Sequence, residues 1–126
     1  MKKPLPKPTD SELAILQVLW RNGPSTVKAV QEALGKETGY TTALKFLQIM
    51  TVKGLVRRNE SERAHVYEAC ASEDETQQQL VTGLLGKAFG GSASRLVMQA
   101  LASKRATPAE LEEIKKLVQQ LTRETK

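Results

Sequence analysis

Apolar positions recur at helical spacing through most of this chain and at strand spacing in one stretch, and the change of period outlines its architecture. Leu13, Ile15, Leu16, Leu19 and Trp20 predict a first helix buried over most of its surface. Thr9-Asp10-Ser11-Glu12 stands before it as a capping box: the threonine hydroxyl can accept from a free amide while the glutamate reaches back. Gly23-Pro24 ends that helix. Ser25-Thr26 can cap a second one, with Val27, Val30, Ala33 and Leu34 on one face and Gly35 closing it. After Lys36 to Gly39, a third helix runs from about Tyr40 to Lys53. Ala43, Leu47 and Met50 recur there at steps of four and three, which turns them toward a core, and Gly54 suits a left-handed C-terminal position. Three short helices with a tight link between the second and third have the helix-turn-helix pattern.

Beyond Gly54 the pattern shortens. Leu55-Val56-Arg57-Arg58-Asn59 and Arg63-Ala64-His65-Val66-Tyr67-Glu68-Ala69 read as two strands around the polar tip Glu60-Ser61-Glu62. A hairpin directly after a helix-turn-helix is the wing of a winged helix, so residues 9–70 form one expected module, preceded by an extended basic arm over residues 1–8.

The remainder, 71–126, returns to helical spacing. Ser72-Glu73-Asp74-Glu75 offers a second capping box ahead of Leu80, Val81, Leu84, Leu85 and Ala88. Gly90-Gly91 breaks that helix, and Ser92 can cap a shorter one carrying Leu96, Val97, Ala100 and Leu101. Thr107-Pro108-Ala109-Glu110 combines a capping box with proline at the first helical position, and Leu111, Ile114, Leu117, Val118 and Leu121 follow as a stripe. Apart from Phe89 these helices carry no aromatic residue, too little for a separate core. A second copy of the chain is the simplest partner for their stripes, which makes Leu84, Leu96, Leu101, Leu111, Ile114, Leu117, Val118 and Leu121 the candidate dimerisation residues. The expected fold class is therefore mainly α with a small β-hairpin wing: a winged helix-turn-helix module followed by a helical dimerisation region.

Composition narrows the function. At 126 residues the chain is too short for two full-sized cores, and 40% hydrophobic residues are too many for a disordered chain. No apolar run is long enough to span a membrane, and the basic start lacks the apolar stretch of a secretion signal. One cysteine, Cys70, fits a reducing cytoplasm. With one His, one Cys and no His-Glu-x-x-His, Cys-x-x-Cys or Gly-x-Ser-x-Gly, the chain lacks the groups of thiol-protease, zincin and hydrolase chemistry. Gly35-Lys36-Glu37-Thr38-Gly39 does not have P-loop spacing. Neither catalysis, a metal nor a cofactor is expected.

Charge separates the halves. Residues 1–70 hold 11 basic and 7 acidic side chains, net +4; residues 71–126 hold 8 and 7, net +1. The excess gathers at Lys2, Lys3 and Lys7, at Lys45 on the third helix, and at Arg57, Arg58 and Arg63 in the wing. That is the footprint of a helix entering the major groove with flanking cations on phosphates. With Ala43, Leu47 and Met50 turned inward, Thr41, Thr42, Lys45 and Gln48 occupy the open face. Threonine can meet a thymine methyl or a phosphate, lysine a guanine and glutamine an adenine. Cys70 reads as an inert small residue rather than a redox switch, and Trp20 as core. His65 is equally suited to touching a phosphate and to packing beside Tyr67.

Tyr40-Thr41-Thr42-Ala43, the leucine-rich turn through Lys53-Gly54-Leu55, and Arg63 and Tyr67 in the wing together resemble the penicillinase-repressor family of BlaI, MecI and CopY type. The opening Leu13 to Trp20, Gly90-Gly91-Ser92 and Thr107-Pro108-x-Glu110-Leu111 extend the resemblance over nearly the whole chain. It implies a cytoplasmic bacterial transcriptional repressor that forms a homodimer through C-terminal helices and binds an inverted-repeat DNA operator. Carried over by position, Thr41, Thr42 and Lys45 lie on the recognition helix, Arg63 is the wing arginine, and Tyr67 packs rather than binds. Three features depart from the family. Gln99-Ala100 stands where antibiotic-responsive members are cleaved at Asn-Phe, so a sensor-protease partner is not supported; the C-terminal cysteine cluster of copper-responsive members is missing; and Leu44 and Ile49 replace residues that are polar in many relatives. The alternatives are a small-molecule-responsive winged-helix regulator and, in a different class, a helical protein-interaction module without specific DNA binding.

Overall fold

The computed structural model describes residues 5–61 and 65–125. Lys2, Lys3 and the wing arginine Arg63 lie outside the described residues. The elements run α1 (Asp10–Asn22), β1 (Ser25–Thr26), α2 (Val27–Leu34), α3 (Tyr40–Lys53), β2 (Val56–Asn59), β3 (Val66–Ala69), α4 (Glu73–Ala88), α5 (Ala93–Ser103) and α6 (Pro108–Glu124). The chain forms two compact units that meet within α4, at Thr82 and Gly83.

The first unit is built around α1, α2, α3 and a small antiparallel sheet ordered β1-β3-β2. Ile15, Leu16, Val18 and Leu19 of α1, Val27 and Val30 of α2, and Ala43, Leu47 and Met50 of α3 form its core with Leu55, Val56 and Tyr67. The alternation expected of a half-buried sheet is clear: Val56 and Tyr67 point inward, whereas Arg57 between Val56 and Arg58 faces away. Trp20 is half-buried against this core, and its indole N–H donates to the Ala71 carbonyl at 3.0 Å, which ties the end of α1 to the chain leaving the wing.

Helix ends form where local chemistry places them. The Thr9–Glu12 and Thr107–Glu110 capping boxes are both closed, and Thr26 and Ser92 cap α2 and α5 through their hydroxyls. Ser72 and Glu75 exchange the same reciprocal pair of hydrogen bonds at the start of α4. Gly54 takes φ 86°, ψ 17°, and the Leu55 amide donates back to the Met50 carbonyl at 2.9 Å. This left-handed turn sends the chain from α3 directly into β2.

Three readings from the pattern are corrected. The hairpin has a third strand, because Ser25 and Thr26 pair with Tyr67 and Val66 before Thr26 caps α2. Two residues are too few for an alternation to register in the sequence. Ala33 is exposed, since the inward stripe of so short a helix is already filled by Val27 and Val30. At the other end, Pro8 is buried and the Leu5 carbonyl accepts from Gln79 of α4 at 2.6 Å, so this part of the basic segment packs on the first unit.

In the second unit, α5 and α6 have no buried residue. Leu84, Leu111, Leu117, Val118 and Leu121 are about half exposed, and Leu96, Leu101 and Ile114 are partly covered. Among the described residues, no helix is long and apolar enough to cross a membrane.

Candidate nucleic-acid interface

Helix α3 divides into a buried and an open half. Ala43, Leu47 and Met50 are each 0% exposed, so the helix cannot roll without opening the core. That fixes Thr41, Thr42, Lys45 and Gln48 outward, and all four are exposed, as the spacing predicted. Gly39 precedes the helix without a side-chain cap, which leaves free amides at its amino end beside Thr41 and Thr42. Among the described residues Lys45 makes no ion pair, so its ammonium is available.

The wing stands beside this face. A saddle of about 540 Å³ separates α3 from the sheet, lined by Thr26, Lys28, Leu44, Gln48, Arg58 and His65 among others. Gln48 and Arg58 also line the adjoining concavity with Thr51, Arg57 and Glu60. Of the four outward residues Gln48 thus adjoins the wing directly, sharing both concavities with Arg58, and the cations that line them are Lys28, Arg57 and Arg58. His65 is exposed and lines the saddle together with Tyr67, whose ring is 2% exposed and belongs to the core.

The two wing arginines are not equivalent. The β2–β3 register sets Arg58 opposite Tyr67, on the side facing α3, and Arg57 opposite Glu68, on the other face of the hairpin, from which it reaches only the border of the concavity beside Thr51. Arg57 Nε donates to Glu68 at 2.6 Å, and that hydrogen bond with the carboxylate charge holds the guanidinium pKa above its ordinary value. Arg58 donates to Glu60 at the start of the wing tip. Both pairs are solvent-exposed, where water and salt screen an ion pair, so a phosphate can compete for either guanidinium at small cost.

One buried contact that no local pattern revealed ties α3 to α1. Glu12 is 2% exposed, and its carboxylate accepts from Lys53 Nζ at 2.9 and 3.1 Å and from the Thr9 amide at 2.9 Å. Burial pushes the Glu12 pKa up, but the Thr9 hydrogen bonds and Lys53 outweigh it and hold the carboxyl below its usual range. The pair clamps the last turn of α3 to the first turn of α1. The partners are far apart in sequence, and each alone looks like a solvated charge.

A match to the family model described as penicillinase repressor covers residues 8–120. The chain belongs to the penicillinase repressor family. Two curated relatives, each described as transcriptional regulator BlaI, come from strains CDC 1551 and H37Rv of Mycobacterium tuberculosis. Each is 39% identical over 79 residues, spanning 60% of this chain and 54% of the relative. The chain therefore spans about half the length of the curated relatives it matches. Among solved structures, the Bacillus licheniformis BlaI monomeric form in complex with the blaP half-operator matches with TM-score 0.51 and 22% identity, covering 59% of this chain and 93% of that one. A MarR family protein from Bacillus stearothermophilus matches with TM-score 0.51 and 17% identity, covering 94% and 75%. These likenesses agree with the mainly helical, winged-helix fold.

Proposed function

We propose that this penicillinase repressor family member is a sequence-specific DNA-binding transcriptional repressor that acts in the cytoplasm, without catalysis, as a homodimer on an inverted-repeat operator. The observation that carries the reading is the exposed half of α3, with Thr41, Thr42, Lys45 and Gln48, joined to the wing where Gln48 and Arg58 line the same concavities. In this reading Thr41, Thr42, Lys45 and Gln48 face base edges in the major groove, and Arg57, Arg58 and Arg63 hold backbone phosphates. Residues 9–70 serve as the DNA-binding part, with 71–126 as the dimerisation region. The description of the Bacillus licheniformis BlaI as bound to a half-operator supports a DNA partner of this kind. Two winged modules related by a dimer axis would meet half-sites about one helical turn apart, or a multiple of it.

Selection of bound duplexes from a random library, followed by titration of the enriched sequence at two salt concentrations against competitor DNA, tests this. An enriched inverted repeat whose affinity falls steeply with salt is the expected result. Equal binding to enriched and scrambled duplexes would remove the specific-repressor reading.

A further inference from the structure

Beside its polar residues, α3 carries an apolar shoulder that the spacing argument did not assign. Thr42, Lys45, Phe46 and Ile49, with Thr41 above them, enclose an open depression of about 330 Å³ whose walls are almost entirely apolar. The residues recur one turn apart and belong to a single strip of the helix surface. Phe46 packs its inner side on the core, whereas Ile49 is 41% exposed. A single exposed isoleucine is ordinary. Here it shares a concavity with a phenylalanine edge and a threonine, on the open half of α3, with Lys45 at the rim. Isoleucine does not favour a helix and is left 41% exposed at this position, so folding alone gives it limited advantage there.

Size and charge decide the occupant. A helix of about 10 Å diameter does not fit in a depression of this volume, while methyl groups do. The lysine at the rim favours an anionic partner. The major groove of DNA presents one apolar group, the thymine 5-methyl, beside polar edges and a phosphate wall. We propose that Ile49, together with Thr42 and Phe46, is a specificity-determining contact that reads thymine methyl groups of the operator. This inference rests on the DNA-binding reading above. It adds Ile49 and Phe46 as apolar contacts beside Lys45 and Gln48, which act through charge or hydrogen bonds, and assigns Thr42 the methyl rather than a phosphate.

The test removes the methyl without touching any hydrogen-bonding group. The enriched duplex is synthesised with deoxyuridine in place of thymidine, one half-site position at a time, and binding of the wild type and of Ile49→Ala is measured on both. At the contacted position, loss of the methyl should weaken wild-type binding by about fourfold, the worth of one buried methylene-sized group. Ile49→Ala should weaken binding to the thymine duplex similarly and be nearly indifferent to the deoxyuridine exchange, because both changes delete one contact. Equal sensitivity of the two proteins to every exchange would overturn the proposal. So would an Ile49→Ala variant with unchanged DNA binding but altered sedimentation, which would mark the shoulder as a protein contact. Absence of any sequence-preferring binding by the wild type would instead remove the DNA-binding reading, and this contact with it.

Discussion

Glu12 illustrates how a single side chain takes on two tasks. Its carboxylate completes the capping box of α1 and receives the Lys53 ammonium, so it stabilises a helix start and an interhelical angle together. Glu12→Gln keeps the shape and removes the charge, and should lower stability at pH 7 by about 1 kcal/mol, the difference between a charge-assisted and a neutral hydrogen bond. The pH dependence has a definite sign. The folded-state pKa is depressed, so the contribution is present above the unfolded carboxylate pKa and is lost as pH falls through the lower folded value. Urea denaturation of wild type and Glu12→Gln should thus show a gap at pH 7 that narrows below about pH 4. A gap independent of pH would mean that packing, and not charge, explains the loss.

Helix α3 acts through its two ends and its outward face. At the C-terminal end Gly54 sits at φ 86°, and a Cβ there would meet nothing within 4 Å. Gly54→Ala is therefore opposed by backbone strain alone and should cost about 1 kcal/mol in denaturant unfolding, with Gly54→Asn costing less. A larger loss would show that the wing shifts with the turn. On the outward face, Lys45→Ala should weaken operator binding and reduce the slope of log affinity against log salt by about one if the ammonium meets a phosphate. If it instead meets a guanine edge, the variant should relax preference at one base pair while the slope stays near its original value. Gln48→Ala discriminates by sequence alone, since the side chain carries no charge to screen. The wing splits its arginines by strand alternation, so Arg58→Ala, on the side facing α3, should weaken binding more than Arg57→Ala.

At the scale of the molecule, the two compact units differ in what they bury. The first has a continuous core from α1 to the sheet, whereas α5 and α6 have no buried residue, and Leu117, Val118 and Leu121 of α6 stay about half exposed. An exposed stripe of this kind on an otherwise charged helix is what a homodimer would cover. If the proposed homodimer forms through this stripe, Leu117→Asp combined with Leu121→Asp should leave the thermal unfolding of the first unit in place and sediment as a monomer where the wild type sediments as a dimer. Loss of the dimer should weaken binding to the full inverted repeat far more than to an isolated half-site, because the second module then no longer binds as part of the same molecule. Equal sedimentation of the double variant and wild type would place the dimer contact elsewhere.

Much of this protein was legible locally. Five capping threonines and serines, the left-handed Gly54 and the inward set Ala43, Leu47 and Met50 are short-range consequences of hydroxyl chemistry, glycine's freedom and the helical repeat, so the sequence by itself determined where the helices begin and end and how α3 faces. The outward positions Thr41, Thr42, Lys45 and Gln48 followed because a helix with one buried side has its other side open. Tertiary structure alone decided what depends on residues distant in the chain. It paired Glu12 with Lys53, recruited Ser25-Thr26 as a third strand, set Arg58 opposite Tyr67 and gathered Phe46 and Ile49 into one depression. A helix repeat specifies directions around one axis, but only packing against neighbouring elements specifies which of those directions meet a partner.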